Sequence, residues 1–244
     1  MLELKARLAD QIEFMNRSRL VIFGWLILTM GVAAVGPLDT DTMGWLLIVF
    51  AASAIPPMAF VVAWRRSAAF RERMLRLDLG ALVLFTSART LGLAFLVLYA
   101  EDQLAAEFAF WGGGVDLFTG LSAVTVAYLV TAMRPFPRRL FVGWSLFGIF
   151  DVIVGWALVV LYSPTAAGVL AGDAPAATTE SVLQFPMSFI LMFGVPLMVC
   201  VHAIAVLQIR SRREPRAYPL FHPKEEVAEA SAMPEPRAPT PVAR

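Results

Sequence analysis

Of the 244 residues, 59% are hydrophobic and only 16% are charged, with a mean hydropathy of +0.70. A water-soluble domain carries roughly 25% charged residues and far fewer long apolar runs, so water is excluded as the main solvent of this chain. The formal net charge of +1 excludes nothing about partners, because in a membrane chain the position of each charge matters more than the sum.

The first 18 residues put Leu4, Leu8, Ile12 and Met15 at helical spacing, with Glu3, Lys5, Arg7, Asp10 and Arg17 on other faces. That pattern predicts a short cytoplasmic amphipathic helix lying at the interface over 1–18. It is too polar for the apolar core of a signal peptide, and Gly36-Pro37-Leu38 makes a poor cleavage site, so the first apolar run is expected to be retained.

A hydrocarbon core of about 30 Å needs roughly 20 apolar residues at about 1.5 Å each. Six runs meet that need, at about 20–35, 44–64, 79–99, 108–133, 140–162 and 185–209. The expected fold class is therefore all-α: a polytopic membrane bundle of six transmembrane helices over 19–209, with no soluble domain. Residues 210–244 hold seven prolines and several acids, too little apolar material to offset chain entropy, which predicts a disordered cytoplasmic tail.

Basic residues set the orientation. Lys5, Arg7, Arg17 and Arg19 precede the first run, Arg65, Arg66, Arg71, Arg73 and Arg76 fill the second connection, Arg134, Arg138 and Arg139 the fourth, and Arg210 opens the tail. The first, third and fifth connections have neither Lys nor Arg but carry Asp39, Asp41, Glu101, Asp102, Glu107, Asp173 and Glu180. Adding or removing one crossing would scatter the basic loops over both sides. The alternation thus predicts six crossings with both ends in the cytoplasm. Arg outnumbers Lys by 18 to 2, which with the Ala, Val and Leu content fits a GC-rich bacterial genome and a bacterial inner membrane.

Four ionisable residues stand inside the apolar runs: Arg89, Asp116, Asp151 and His202. A charge near a helix centre costs on the order of 3 kcal/mol on insertion scales, which makes such residues default candidates for function. The third run can still insert, since its Leu, Val and Phe residues each contribute roughly 0.3 to 0.6 kcal/mol in the other direction. Arg89, with Thr86 one turn earlier, should face away from lipid towards a carboxylate. Asp116 shares a face with Gly112, Thr119, Gly120 and Ala123, and Asp151 shares one with Gly148 and Gly155. Small residues let membrane helices approach closely, so both acids are expected inside the bundle. One Arg facing two Asp leaves one surplus negative charge, which a proton or a cation would neutralise. The competing structural reading is one Arg–Asp pair fixing helix register, with the other Asp bonded to hydroxyls or backbone.

His202 suits a polar interhelical contact, a proton relay or, less simply, a haem ligand. A bis-histidine haem lacks its second intramembrane histidine, because His222 lies in the tail. Pro196, just after Gly194, marks a helix break whose freed carbonyls could serve an ion or a gate, although a plain kink is the usual outcome. Gly112-Gly113-Gly114 could unwind the start of the fourth run, beside Trp111 as an interfacial anchor. The Asp-x-x-x-Gly pattern at Asp116–Gly120 and Asp151–Gly155 has the form of a short inverted repeat, a match that chance explains equally well.

Arg89-Thr-Leu-Gly92, Phe108-Ala-Phe followed by Gly114-Val-Asp116 and Gly120, Leu146-Phe-Gly-Ile-Phe-Asp151, and Val195-Pro-Leu197 before His202 occur in an order that resembles a family of uncharacterised bacterial multi-pass membrane proteins. The likeness covers about the last four runs. That family opens its fourth helix with Pro-Ala-Gly and has Gly directly before Asp, where this chain has Trp111-Gly-Gly-Gly-Val. The resemblance implies a multi-pass fold and brings no activity with it.

Catalytic motifs are absent: there is no His-Glu-x-x-His, no Gly-x-Ser-x-Gly and no cluster of Cys or His. Intramembrane aspartyl proteases resemble Tyr-Asp and Gly-x-Gly-Asp motifs, whereas these acids stand in Val-Asp and Phe-Asp contexts. No enzyme, cofactor, metal or nucleic-acid partner is expected. Single Cys200 excludes an intramolecular disulfide and a thiolate metal site. The expected function is a small proton- or ion-coupled transporter or channel. The alternative is a membrane scaffold or accessory subunit, acting as a homodimer or within a larger complex.

Overall fold

The computed structural model describes residues 2–36, 42–132 and 137–211, with side chains from Arg19 onward. The side-chain stripe at Leu4, Leu8, Ile12 and Met15, the acids Asp39 and Asp41, Arg134, and the tail beyond Ser211 lie outside the described residues.

Eight α-helical elements organise the chain: α1 (Leu2–Val35), α2 (Met43–Arg66), a short α3 (Ala68–Leu75), α4 (Leu79–Ala100), α5 (Ala106–Thr131), α6 (Arg138–Leu161), a one-turn α7 (Glu180–Leu183) and α8 (Met187–Ser211). No strand occurs among the described residues. Helices α2, α4, α5, α6 and α8 are each long and apolar enough to cross a membrane, and Arg19–Val35 of α1 is a shorter apolar stretch. Where a short interfacial helix is expected before the first run, α1 continues unbroken from Leu2 to Val35.

The outside of the bundle is apolar. Leu47, Ile55 and Met58 on α2, Phe118, Leu121 and Tyr128 on α5, and Phe150 and Ile153 on α6 are all exposed. A monomer in water rarely shows so much contiguous apolar surface, which suits hydrocarbon. Helix α8 is central: half of its apolar window is buried, against 17% for α2. It packs against α2, α4 and α6, while α4 packs along α5 and the upper end of α8 touches α1.

Local capping agrees with these boundaries. Thr42, Ser67 and Asp78 accept bonds from the amides of Trp45, Phe70 and Ala81 at the starts of α2, α3 and α4, satisfying donors that the first helical turn leaves open. At the arginine-rich end, the Gln208 amide, fully buried, donates to the carbonyls of Met74 (2.8 Å) and Leu77 (3.0 Å). Arg138 donates to the Arg210 carbonyl at the end of α8.

Two apolar clusters lie above and below the helix midpoints. Towards the arginine-rich end, Leu79, Val83, Val126, Ala127, Phe141 and Ala205 form a dry plug. Towards the arginine-free end, a larger cluster includes Trp45, Phe95, Phe108, Val159, Leu183 and Met192. The long connection between α6 and α8 folds down onto this second cluster. Thr179 donates to the Val159 carbonyl (2.9 Å), Ala105 donates to the Thr178 carbonyl (2.9 Å), and the Trp45 indole donates to the Leu183 carbonyl (2.8 Å).

Candidate functional site: a buried arginine shared by two aspartates

Arg89 sits between the two clusters, 4% exposed, in a stretch of α4 that tightens to a 3₁₀ helix over Thr86–Gly92. A second irregular turn, a π-helical one, runs through Ala109–Gly114 in α5, and a third through Ile190–Gly194 in α8. Such turns inside α-helices are frequent at functional sites. The triple glycine that could have unwound the start of the fourth run stays helical, in this wider form.

Close helix contact brings the cluster together. A Cβ on Gly92 would lie 2.5 Å from the Asp116 Cβ and 2.9 Å from the Gly113 carbonyl oxygen, and one on Gly120 would lie 2.5 Å from the Thr90 amide nitrogen. Only glycine permits α4 and α5 to touch backbone to backbone here. On α6, Gly148 instead leaves room for two side chains, since a Cβ there would fall 2.7 Å from His202 Nε2 and 2.9 Å from Arg89 Nη1.

The guanidinium is engaged on all three nitrogens. Nε donates to Asp116 Oδ1, and Nη2 ion-pairs with both Asp116 Oδ1 and Asp151 Oδ2. Nη1 donates to the Gly148 carbonyl at 2.8 Å and stands 3.4 Å from His202 Nε2. Opposite a guanidinium that ring nitrogen is the acceptor, which puts the His202 proton on Nδ1. Trp144 packs against the imidazole at 5.2 Å between ring centroids. Asp151 Oδ1 and His202 Nδ1 are buried without a hydrogen-bond partner. Among the described residues, no group of three or more His, Cys, Asp or Glu is placed to hold a metal.

All four intramembrane ionisable residues singled out in the sequence therefore meet, from α4, α5, α6 and α8. Pro196 lies apart and does not end its helix. It cannot donate the bond that the Met192 carbonyl would accept in a regular α-helix, and the indole of Trp25 on α1 donates to that carbonyl at 3.2 Å. The role of Trp25 was not legible from spacing, nor was the Gly148 carbonyl as a partner of Arg89. The buried Gln208 carried the plainer signal of a lone amide in an apolar run.

Beside the cluster lies a cavity of about 300 Å³. Its walls are apolar except at Arg89, Asp116 and Asp151, and all three irregular turns border it. The Asp116 side chain is 23% exposed, against 3% for Arg89 and Asp151.

The chain belongs to the family described as Domain of unknown function (DUF8737), which matches residues 45–210. That match takes in α2 through most of α8 and every residue of the charged cluster. No curated protein and no solved structure matches the chain.

Proposed function

We propose that this member of the family is a six-span protein of a bacterial inner membrane, with both ends cytoplasmic, and that its buried charges handle a proton or small cation as part of coupled transport. It carries no catalytic activity in this reading. The observation behind it is the sharing of Arg89 Nη2 by Asp116 and Asp151. Two carboxylates on one guanidinium leave a surplus negative charge in a low-dielectric site, and a single proton or cation restores neutrality. Discharging and recharging such a site is the elementary step of coupling. The alternation of basic and acidic connections supports the orientation.

A second reading is a scaffold or accessory subunit, in a homodimer or larger complex. The dry plug of Leu79, Val83, Phe141 and Ala205 between the charges and the arginine-rich end favours it, because transport requires that plug to open.

Purified protein in liposomes with an internal pH dye, under imposed proton or sodium gradients, separates the two. Flux in wild type that disappears in folded Asp151→Asn and Arg89→Gln is the expected result. Wild type that moves neither ion, with both variants merely less stable, rejects coupling in favour of the scaffold.

A further inference from the structure

The cavity has a chemistry of its own. Phe95, Phe108, Trp156 and Leu197 give it apolar walls, and Phe85 and Leu91 on its border are 45% and 63% exposed on the outer face of the bundle. Helices α4 and α8 pack together on the arginine-rich side of the charged cluster, through Leu79, Val83 and Ala205. Past Arg89 both helices contribute to the cavity's lining. With Phe85 and Leu91 exposed at its rim, the cavity meets the apolar outer surface of the bundle.

What the polar patch offers is acceptor capacity. Arg89 has all three nitrogens committed to protein groups, so it has little left for an anion. Asp116 is the least buried member of the cluster, and Asp116 Oδ1 alone carries its bonds to Arg89. A guest must bring a hydrogen-bond donor to a carboxylate, and positive charge would also cancel the surplus of two acids over one guanidinium. A purely apolar guest would strip water from Asp116 and bring it no donor in return. A size of about 300 Å³ with few convergent polar groups is that of a small-molecule site.

We propose that this cavity binds lipophilic amines that carry at least one N–H, taken from the membrane and held by donation to Asp116. The site goes beyond the coupling role and stands whether or not ions cross the protein.

Trp156 on the cavity wall supplies the readout. The full chain in phosphatidylcholine nanodiscs is titrated with 4-bromobenzylamine, whose bromine quenches indole emission. The comparators are the trimethylammonium analogue, 4-bromobenzyl alcohol and 4-bromobenzoate. The amine is expected to quench saturably, at a half-saturating concentration about tenfold below that of any comparator, the scale of one charge-assisted hydrogen bond. Gly155 also lines the cavity, and a Cβ there meets nothing within 4 Å. Gly155→Leu should fill the space, leave thermal unfolding unchanged and remove the saturable phase. Quenching that rises linearly in wild type overturns the proposal. So does equal saturation by amine and trimethylammonium, or a saturable phase retained in folded Gly155→Leu.

Discussion

The two halves of the bundle are built from the same helices and differ in how they are filled. On the arginine-rich side of Thr86, α4, α5, α6 and α8 are regular, and their meeting place is packed by Leu79, Val83, Val126, Ala127, Phe141 and Ala205. On the other side three of those helices change their winding, over Thr86–Gly92, Ala109–Gly114 and Ile190–Gly194, and a cavity opens between them. Regular winding and dry packing suit a half that holds the fold. Irregular winding, a cavity and a charged wall suit a half that meets a ligand or an ion. The stability of the two halves should therefore respond differently to the same kind of substitution.

The largest effect belongs to the boundary between them. Arg89→Met leaves two buried carboxylates without their partner, and should destabilise by about 3–5 kcal/mol, read as a lower midpoint of unfolding in mixed micelles. Adding Asp116→Asn and Asp151→Asn to it should recover most of the loss, since the desolvated charges go with their partner. No recovery would mean that shape rather than charge holds the centre.

In the packed half, Phe141→Ala opens a hole at a residue 1% exposed and should cost about 3 kcal/mol. Similar loss from both Phe141→Ala and a cavity-half truncation such as Leu91→Ala would erase the proposed difference, since Leu91 is 63% exposed.

Glycine substitutions sharpen the contrast within one residue type. Gly120→Ala meets backbone at 2.5 Å and should cost about 1–3 kcal/mol through forced separation of α4 and α5. Gly155→Ala points into open space and should shift stability by less than about 0.5 kcal/mol. Thermal unfolding of the pair in parallel checks the ranking.

The smallest change concerns the carbonyl released by Pro196. Trp25→Phe keeps the ring and removes the donor, with an expected cost of about 1 kcal/mol. Hydrogen exchange unchanged elsewhere and faster only at the upper end of α8 would locate that loss.

What the sequence determined by itself is the part that depends on solvent and on local order. Apolar runs of membrane length follow from the thickness of hydrocarbon, and they placed all five long helices close to where they stand. The alternation of arginine-bearing and arginine-free connections follows from charge and needs no tertiary contact. Even the candidate site was largely legible, because a charge in an apolar run has few tolerable surroundings and the glycine faces beside Asp116 and Asp151 indicate where helices can touch.

Only the tertiary structure decided how those charges are shared. That Nη2 of Arg89 serves both acids, that the Gly148 carbonyl and His202 complete its shell, and that Trp25 answers Pro196 from 171 positions away are matters of helix rotation and depth. Periodicity fixes which residues share a face, but not which face meets which. The cavity was equally invisible, because it arises where three helices change pitch together, and no local preference of any one of them encodes the space between.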